Sequence, residues 1–309
     1  MQKTFKTLDE QITILQSKGM IIEDVETARE VLLRENYFFI NGYRHLFLKS
    51  SHDRVFLPGM RFRELHALFY FDRQIRNIVF KNILIIENNI KSIFSYQISK
   101  KYGYQEKNYL DVKNFNRAPE KSRQVNDLLK KMKRQIRVNG GQHTATSHYL
   151  NNYGYIPMWV VVKVLSFGIV SELFTIMKLD DQKEIAEIFR IDLNALLTYL
   201  PVLANYRNLC AHEDIMYDNR SQRIIPDTIF HEGIGVPIMD GEYIYGKNDL
   251  FALVIILKQM LDKDGFKLFM NEMSYEIDLL GGKLSTIDIG KVLDQMGFPV
   301  NYKDLARMD

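Results

Sequence analysis

The stretch 61-RFRELHALFYFDRQIRNIVFKNILIIENNIKSIFSYQISKK-101 decides the fold of this 309-residue chain. Its apolar residues recur every three or four positions, which predicts a helix, because 3.6 residues complete one turn. The stripe members are Leu65, Leu68, Phe69, Ile75, Ile78, Val79, Ile83, Ile86, Ile90, Ile93 and Phe94. Since they cover so much of the circumference, we expect the helix to be central and buried, and to end at Gly103.

Shorter helical patterns precede and follow this central helix. Helices are predicted at 8–18, 25–32, 181–189, 193–211, 249–261, 265–274 and 286–296, and core-like sequence at 156–177 has Pro157 in a first helical turn. Residues 36–47 are rich in aromatic side chains and predict a turn at Asn41-Gly42. Residues 220–248, which are rich in Gly and Pro, predict either a small hairpin or an irregular loop.

These patterns predict one all-α fold, a helical bundle with small helical and irregular additions at both ends. We divide it into an N-terminal helical extension at 1–60 and a helical core at 61–219, which carries a basic insertion at 114–148. Residues 220–309 are expected to form a hairpin or loop plus helices packed on the core. Neither an internal repeat nor a linker interrupts the pattern.

Composition and charge exclude several classes of protein. Hydrophobic residues make up 46% of the chain and charged residues 26%, as is usual for globular domains. The single cysteine excludes an intrachain disulfide and a multi-cysteine zinc site, which fits a reducing cytoplasm. The longest apolar runs, 155–162 and 251–257, are far shorter than the ~18 residues that cross a bilayer. We therefore expect a cytoplasmic protein without a membrane partner.

Positive charge is concentrated in the segment 114–148. It holds eight Lys and Arg residues against two acids, a net charge of +6, whereas the whole chain carries only +3. We predict a basic helix at 120–137, a break at Gly140-Gly141 and then a polar loop. The candidate RNA-binding residues are Lys130, Lys131, Lys133, Arg134 and Arg137, which are spaced closely enough to meet a run of phosphates. The alternative is an ordinary solvated helix surface.

The segment 207-RNLCAH-212 combines residue types that suit RNA cleavage. Histidine can take a proton from a ribose hydroxyl or give one to a leaving oxygen, and arginine can clamp a phosphate with two donors. On a helix, Asn208 and His212 share a face within ~40°, whereas Arg207 lies ~140° from His212 and must reach around with its long side chain. Asn208 could then orient the imidazole or the phosphate. The alternative is a cap near a helix C-terminus, where cations are favoured.

Other chemically interesting residues have structural interpretations. Cys210 points away from His212 on helical spacing, so we interpret it as a buried small hydrophobe. Trp159 is expected in the core, and His143 and His148 are expected on the surface of a polar loop. The sequence shows no cluster of His, Cys and carboxylates, so we expect neither a metal nor another cofactor.

Five blocks in a fixed order resemble the Abi/AbiD/AbiF-like abortive-infection family of bacterial phage-defence proteins. They are INGYRHLF (40–47), LFYFDRQIRNIV (68–79), IIENNIKS (85–92), YIPMWVVVKVLSFGIVSELF (155–174) and YRNLCAHEDIMYD (206–218). RNLCAH itself resembles the R-N-x-x-x-H signature of HEPN-domain ribonucleases. Because five blocks occur in this order, the match is far more specific than the hexapeptide.

The resemblance implies an all-α, HEPN-like bundle that forms a homodimer, with the Arg–His motifs of two protomers in one composite site. By position, Arg207 and His212 match the named residues of the motif, and Asn208 matches its polar second position. Glu87 and Lys91 resemble a supporting Glu-x3-Lys pair, although such pairs are also common surface ion pairs worth ~0.3–0.5 kcal/mol. Glu213 and Asp214 depart from the family pattern, which often places a basic residue after the histidine.

The resulting expectation is a metal-independent endoribonuclease of an abortive-infection or toxin–antitoxin system. Its partners would be RNA, as substrate and as a structured small regulatory RNA, whereas no DNA partner is expected. The alternative is a non-catalytic RNA-binding module that holds a structured regulatory RNA on the basic face.

Overall fold

A computed structural model describes residues 4–50, 52 and 54–308 as a predominantly helical protein with one two-stranded sheet, which confirms the predicted all-α class. Its helices are α1 (Leu8–Ser17), α2 (Val25–Glu35), α3 (Tyr37–Gly42), α4 (Phe62–Tyr102), α5 (Glu106–Tyr109), α6 (Ser122–Asn139), α7 (Thr144–Tyr153), α8 (Met158–Val161), α9 (Phe167–Ile176), α10 (Leu179–Phe189), α11 (Leu193–Ala211), α12 (Ile229–Gly233), α13 (Leu250–Met260), α14 (Lys263–Gly281) and α15 (Ile289–Met296). Short 3-10 helices lie at Tyr43–Phe47, Val112–Asn114, Pro119–Lys121 and Tyr302–Arg307.

Helix α4 is the central element, as its stripe of apolar residues predicts. It spans 41 residues and ends at Gly103, whose φ of 94° lies in the left-handed region that glycine adopts without strain. The stripe members Ile75, Val79, Ile83, Ile86, Ile90 and Phe94 are fully buried. Helices α8, α11, α13 and α14 all pack against α4, and α9 lies between α11 and α6. The core therefore forms around a single long helix.

The segment after residue 219 packs against the same helix. Glu64, in the first turn of α4, is fully buried. It accepts hydrogen bonds of 2.8 Å from the backbone N–H and the hydroxyl of both Ser285 and Thr286. Because α14 also lies along α4, the C-terminal helices share the core of the central bundle.

The segment 220–248 contains a hairpin, one of the two structures considered for it. Strand β1 (Ile238–Met239) pairs with strand β2 (Glu242–Tyr243) in antiparallel register, with Ile238 opposite Tyr243. Each strand has only two residues, and the short helix α12 precedes them. The remaining residues of this segment are irregular or turns.

The turn predicted at Asn41-Gly42 is wrong, because helix α3 continues through both residues. Gly42 instead permits a close approach: a Cβ atom there would lie 2.9 Å from Cδ1 of Ile215. The polar loop predicted beyond Gly141 is also largely helical, since α7 begins at Thr144 with His143 as its N-cap. Likewise, the apolar segment 156–177 is two helices, which Ser166 separates by capping α9.

Trp159 is not in the core, contrary to prediction, since it is 47% exposed. It lies on α8, a helix of a single turn whose other three residues are buried. The four residues of a single helical turn point around the whole circumference, so one position faces outward, and that position is occupied by the tryptophan. Cys210 is buried, and His143 and His148 are exposed, as predicted.

Among the described residues, none of the helices combines the length and apolar composition needed to cross a bilayer.

Candidate active site

The side chain of Arg207 on α11 meets one face of α4. Phe80, Glu87 and Lys91 lie on that face within ~40° of one another, because their spacings of seven and four residues are close to whole helical turns. The guanidinium of Arg207 lies 5.7 Å from the ring centre of Phe80, within the range of a cation–π contact. Its Nε lies 3.5 Å from Oε2 of Glu87.

Glu87 carries a carboxylate shared by two cations. Its Oε1 lies 2.6 Å from Nζ of Lys91, so the structure brings together Glu87, Lys91 and Arg207. The side chain of Glu87 is only 8% exposed, whereas that of Arg207 is 33% exposed. Among the described residues, neither Oε2 of Glu87 nor Nε of Arg207 has a hydrogen-bond partner, although both atoms are buried. The carboxylate therefore holds Arg207 by charge, and part of the arginine side chain still reaches solvent.

His212 lies where helix α11 ends. The helix stops at Ala211, and His212 is its C-cap, with its backbone N–H donating to the carbonyl of Asn208 at 3.0 Å. The side chains of His212 and Asn208 are both exposed. An exposed imidazole at a helix end can reach a ligand that binds at the surface, which a buried one could not.

The chain leaves this helix through a Schellman turn. The N–H of Asp214 donates to the carbonyl of Leu209 at 3.1 Å, and that of Glu213 donates to the carbonyl of Cys210 at 3.4 Å. Glu213 occupies the left-handed position of this turn with a φ of 57°, where glycine is usual. Such a conformation costs about 1 kcal/mol or more for a residue with a Cβ atom.

Arg73 of α4 compensates for the charge of Glu213. One guanidinium nitrogen lies 3.3 Å from Oε2 of Glu213 and 2.7 Å from Oε2 of Glu35. The carboxylate next to His212 is thus directed toward a cation on the protein. This contact reduces the repulsion that Glu213 would otherwise exert on a phosphate. Asp214, in contrast, is exposed.

A buried polar network fixes the segment that follows His212. Asp72 is fully buried and accepts hydrogen bonds from the Tyr43 hydroxyl at 2.6 Å and from the Arg76 guanidinium. The same carboxylate accepts from the backbone N–H groups of Met216, at 3.1 Å, and Tyr217, at 2.8 Å. Because these four donors converge on it, Asp72 links the segment that follows the motif to α4 and to Tyr43 of the block 40–47.

Burial sets the ionisation of this network. It raises the pKa of Asp72 to about 6, although Arg76 and the hydrogen bonds from Tyr43, Met216 and Tyr217 oppose the rise. Asp72 is therefore mainly ionised at neutral pH. Burial also raises the pKa of the Cys210 thiol to about 12, so Cys210 stays protonated and is not a nucleophile.

Asp72, Arg76 and Tyr43 are not among the site residues that the sequence predicts. Asp72 and Arg76 are four residues apart on α4, a spacing that also suits an exposed ion pair. A signal was nevertheless present, because three of the family blocks, 40–47, 68–79 and 206–218, contribute to this one network. Polar residues in blocks that lie far apart in sequence were candidates for a shared contact.

The five predicted RNA-binding cations lie on α6, and all are exposed. Lys131 is paired with Glu172 of α9 at 3.0 Å. Lys133 and Arg137 line a groove of about 350 Å³ with Lys107, Glu106 and other residues of α5 and α6. The structure does not bring any of these cations into contact with Arg207 or His212, so they form a separate surface.

Within residues 4–50, 52 and 54–308, no three His, Cys, Asp or Glu side chains are grouped as metal ligands would be. The candidate site is instead a set of cations around one carboxylate, with a histidine at the adjacent helix end.

The family model described as Abi-like protein matches residues 30–218. No curated protein and no solved structure matches. The matched range covers more than half of the chain and ends immediately after Met216 and Tyr217, which Asp72 binds. The chain therefore belongs to the Abi-like protein family.

Proposed function

We propose that this protein is a HEPN-type endoribonuclease that acts in a bacterial abortive-infection or toxin–antitoxin system. The observation that carries the proposal is the convergence of Arg207 with Glu87 and Lys91, next to the helix end that presents His212. The Abi-like family supports the phage-defence setting. A cytoplasmic location belongs to the same proposal.

The proposed chemistry is transesterification within the RNA. His212 takes the proton of a ribose 2′-hydroxyl, and the 2′-oxygen attacks the adjacent phosphorus. The bond from phosphorus to the 5′-oxygen then breaks, and this oxygen receives a proton, leaving a 2′,3′-cyclic phosphate and a 5′-hydroxyl. Arg207 would stabilise the charge that develops on the phosphoryl oxygens. Asn208 would orient the imidazole or the phosphate, and no step requires a metal or another cofactor.

Each nearby residue of α4 has a positioning role in this proposal. Glu87 would hold Arg207 in place through their buried contact, and Lys91 would balance the charge of the shared carboxylate. Two protomers would join their motifs in a homodimer, so that a second His212 protonates the leaving oxygen. A symmetric dimer permits this, because both copies present the same surface to each other.

The test is cleavage of RNA by purified protein in the presence of EDTA, with identification of the new ends. We expect 2′,3′-cyclic phosphate ends from the wild type. Arg207→Ala and His212→Ala should each reduce the rate by about 10²–10⁴, as loss of acid–base or charge-stabilising groups does. His52→Ala is the matched control, because His52 is also exposed but lies in a loop outside the motif.

Unchanged cleavage in Arg207→Ala and His212→Ala would end the nuclease proposal. Growth of cells that express each variant gives a second readout. If the wild type arrests growth and His212→Ala does not, the nuclease is favoured.

A non-catalytic RNA-binding module is the second candidate, because all five cations of α6 are exposed. Its ligand would be a structured regulatory RNA. It predicts salt-sensitive RNA binding without cleavage, which charge reversal within 130–137 abolishes and which His212→Ala leaves unchanged.

A further inference from the structure

Six ring side chains form a continuous row on the surface around α7 and α8. We call this set the aromatic row; its members, in spatial order, are Trp159, Tyr104, Tyr155, Tyr153, Tyr149 and His148. Neighbouring ring centres lie 5.8, 5.6, 6.3 and 5.4 Å apart from Trp159 to Tyr149, and His148 lies 5.6 Å from Tyr149. These separations are those of interacting aromatic pairs.

The aromatic row is open to solvent along its length. Trp159 is 47% exposed, Tyr153 57% and Tyr104 43%, and the others are exposed or half-buried. The rings from Trp159 to Tyr149 are tilted against their neighbours by 35° to 52°, so no ring face is covered by a flat stack. Exposure of so much contiguous aromatic surface to water is unfavourable, and such patches commonly mark a binding site.

The aromatic row borders the basic groove of α5 and α6. Ile156 follows Tyr155 directly, and its backbone N–H donates to Oε1 of Glu106 at 2.7 Å. Glu106 lines the groove beside Lys107, Lys133 and Arg137. The lining of the groove therefore holds three cations against one carboxylate, a net charge of +2.

We propose that the aromatic row and the groove together bind a single-stranded segment of RNA. The bases would stack on the exposed rings, and the phosphates would lie against Lys107, Lys133 and Arg137. Proteins that bind single strands combine these two features, a row of aromatic side chains and a positive channel. The inference rests on the proposed function for its choice of RNA as the ligand.

Charge decides between RNA and a protein partner. Tyr and Trp are also common in protein interfaces, but lysine is depleted there. Here the groove that adjoins the aromatic row is lined by Lys107, Lys133 and Arg137, and the segment 114–148 carries a net charge of +6. Each nucleotide of RNA offers a base that can stack on a ring and a phosphate that can contact a cation. A protein partner would instead need an apolar surface and an acidic surface next to each other.

The chain contains one tryptophan, and it lies in the aromatic row, so its fluorescence reports on the site. The experiment titrates full-length His212→Ala protein, which keeps the RNA intact, with an oligoribonucleotide of about 10 unpaired nucleotides. Stacking on Trp159 should quench the emission. A duplex of the same sequence should quench it much less, because its bases are already stacked inside the helix.

Tyr104→Ala and Tyr153→Ala, each in the same background, test whether the rings bind. Since stacking on one ring contributes strongly to single-strand affinity, each should weaken binding by roughly 5- to 100-fold. The matched control is Tyr275→Ala, which removes a tyrosine that is 62% exposed on α14, outside the aromatic row. Far-ultraviolet circular dichroism establishes that all three variants are folded.

Equal affinity of Tyr104→Ala, Tyr153→Ala and Tyr275→Ala for the single strand would overturn the inference. So would duplex binding as tight as single-strand binding with the same quench, or binding without any quench. None of these results affects cleavage by the wild type, which tests the nuclease separately. Conversely, quenching that depends on the aromatic row would uphold the inference even if no variant of Arg207 or His212 altered cleavage.

Discussion

Oε2 of Glu87 lies 3.5 Å from Nε of Arg207, and both atoms are buried. The two residues are 120 positions apart in sequence, so only the packing of α11 on α4 creates this contact. A carboxylate that is mostly buried against an arginine costs free energy to desolvate, and it recovers that cost through the charge of its partners. Here two cations, Lys91 and Arg207, share one buried carboxylate in the candidate site.

Glu87→Gln should impair cleavage without unfolding the protein. The amide keeps the size of the side chain but loses the charge that holds Arg207, so the guanidinium is expected to shift. A misplacement of about 1 Å can reduce a rate by about 10²-fold, and we expect a 10- to 100-fold fall in kcat with a smaller change in KM. Steady-state kinetics on a defined RNA measure both constants.

Glu184→Gln is the matched control for that prediction. Glu184 lies 3.5 Å from Lys101 but is 51% exposed, so its substitution should leave the rate unchanged. If both glutamines behaved alike, Glu87 would have no role in positioning Arg207.

Asp72→Asn should destabilise the protein by about 3–5 kcal/mol, the usual cost of leaving a buried charge without its partner. The uncharged Arg76→Met variant should cost a similar amount. The double variant should lose less stability than the sum of the two single losses, because each single variant leaves the other residue buried without its partner. Urea unfolding measures the three values.

Asp214→Asn serves as the comparison, since Asp214 is exposed and should change the stability by no more than about 0.5 kcal/mol. Additive effects of Asp72→Asn and Arg76→Met would contradict the network described above.

The contact between Glu64 and the Ser285–Thr286 turn should give a pH-dependent stability. Burial alone would raise the pKa of Glu64, but the hydrogen bonds from Ser285 and Thr286 outweigh it and hold the pKa below its usual 4.5. The contribution of Glu64 is therefore fully present above 4.5 and is lost as the pH falls through its folded-state pKa. At neutral pH, Glu64→Gln should cost about 2–4 kcal/mol, because its amide places donors against donors.

Urea midpoints measured from pH 7 to pH 3 check this prediction. The difference in urea midpoint between the wild type and Glu64→Gln should stay constant above pH 5 and decrease in more acidic solution. A difference that widened on acidification would show that the carboxylate is not the acceptor of these bonds.

Charge reversal on α6 should weaken RNA binding most at cations that line the groove, and less at a cation that is paired with a carboxylate. Lys133 and Arg137 line the groove. The substitutions Lys133→Glu and Arg137→Glu should therefore lower both the affinity for RNA and its dependence on salt. Each lost phosphate contact should reduce the slope of log K against log salt by about 0.7 for a single strand. Binding isotherms at several salt concentrations give this slope.

Lys131→Glu is the comparison in the same helix. Because Lys131 is already paired with Glu172, its reversal should change the slope less than reversal of Lys133. Equal changes at Lys131 and Lys133 would mean that only the total charge of α6 matters.

The local pattern of the sequence predicted some helices closely, since α4, α11 and α13 have bounds within one or two residues of those expected, whereas α14 runs to Gly281, seven residues beyond its predicted end at 274. Periodicity succeeds for α4 and α11 because each buries a broad face, and α13 is recognisable as a continuous apolar run, since residues 250–257 are all buried. Periodicity failed at Trp159, where the helix ends after a single turn and one of its residues faces solvent. No local pattern distinguishes that residue from its buried neighbours.

The candidate site was only partly predictable for a related reason. The family resemblance singled out Glu87 and Lys91, and their spacing of four residues on one helix makes the contact between them predictable. The contact of Glu87 with Arg207, and that of Asp72 with Met216 and Tyr217, each join α4 to a segment more than 100 residues later. Such contacts depend on how helices pack, which the chemistry of a single segment does not specify.

The uninterrupted course of α4 also limits how this family can vary in length. Asp72 and Glu87 lie about 22 Å apart along the axis of this one helix. Asp72 binds the segment that follows the motif, whereas Glu87 contacts Arg207 within it. Inserting one residue between Arg76 and Glu87 would turn the distal half by ~100° and carry Glu87 off Arg207, while Asp72 kept its own partners. Relatives that retain both contacts should therefore differ here by substitution on the solvent side, with gains and losses of residues confined to the loops.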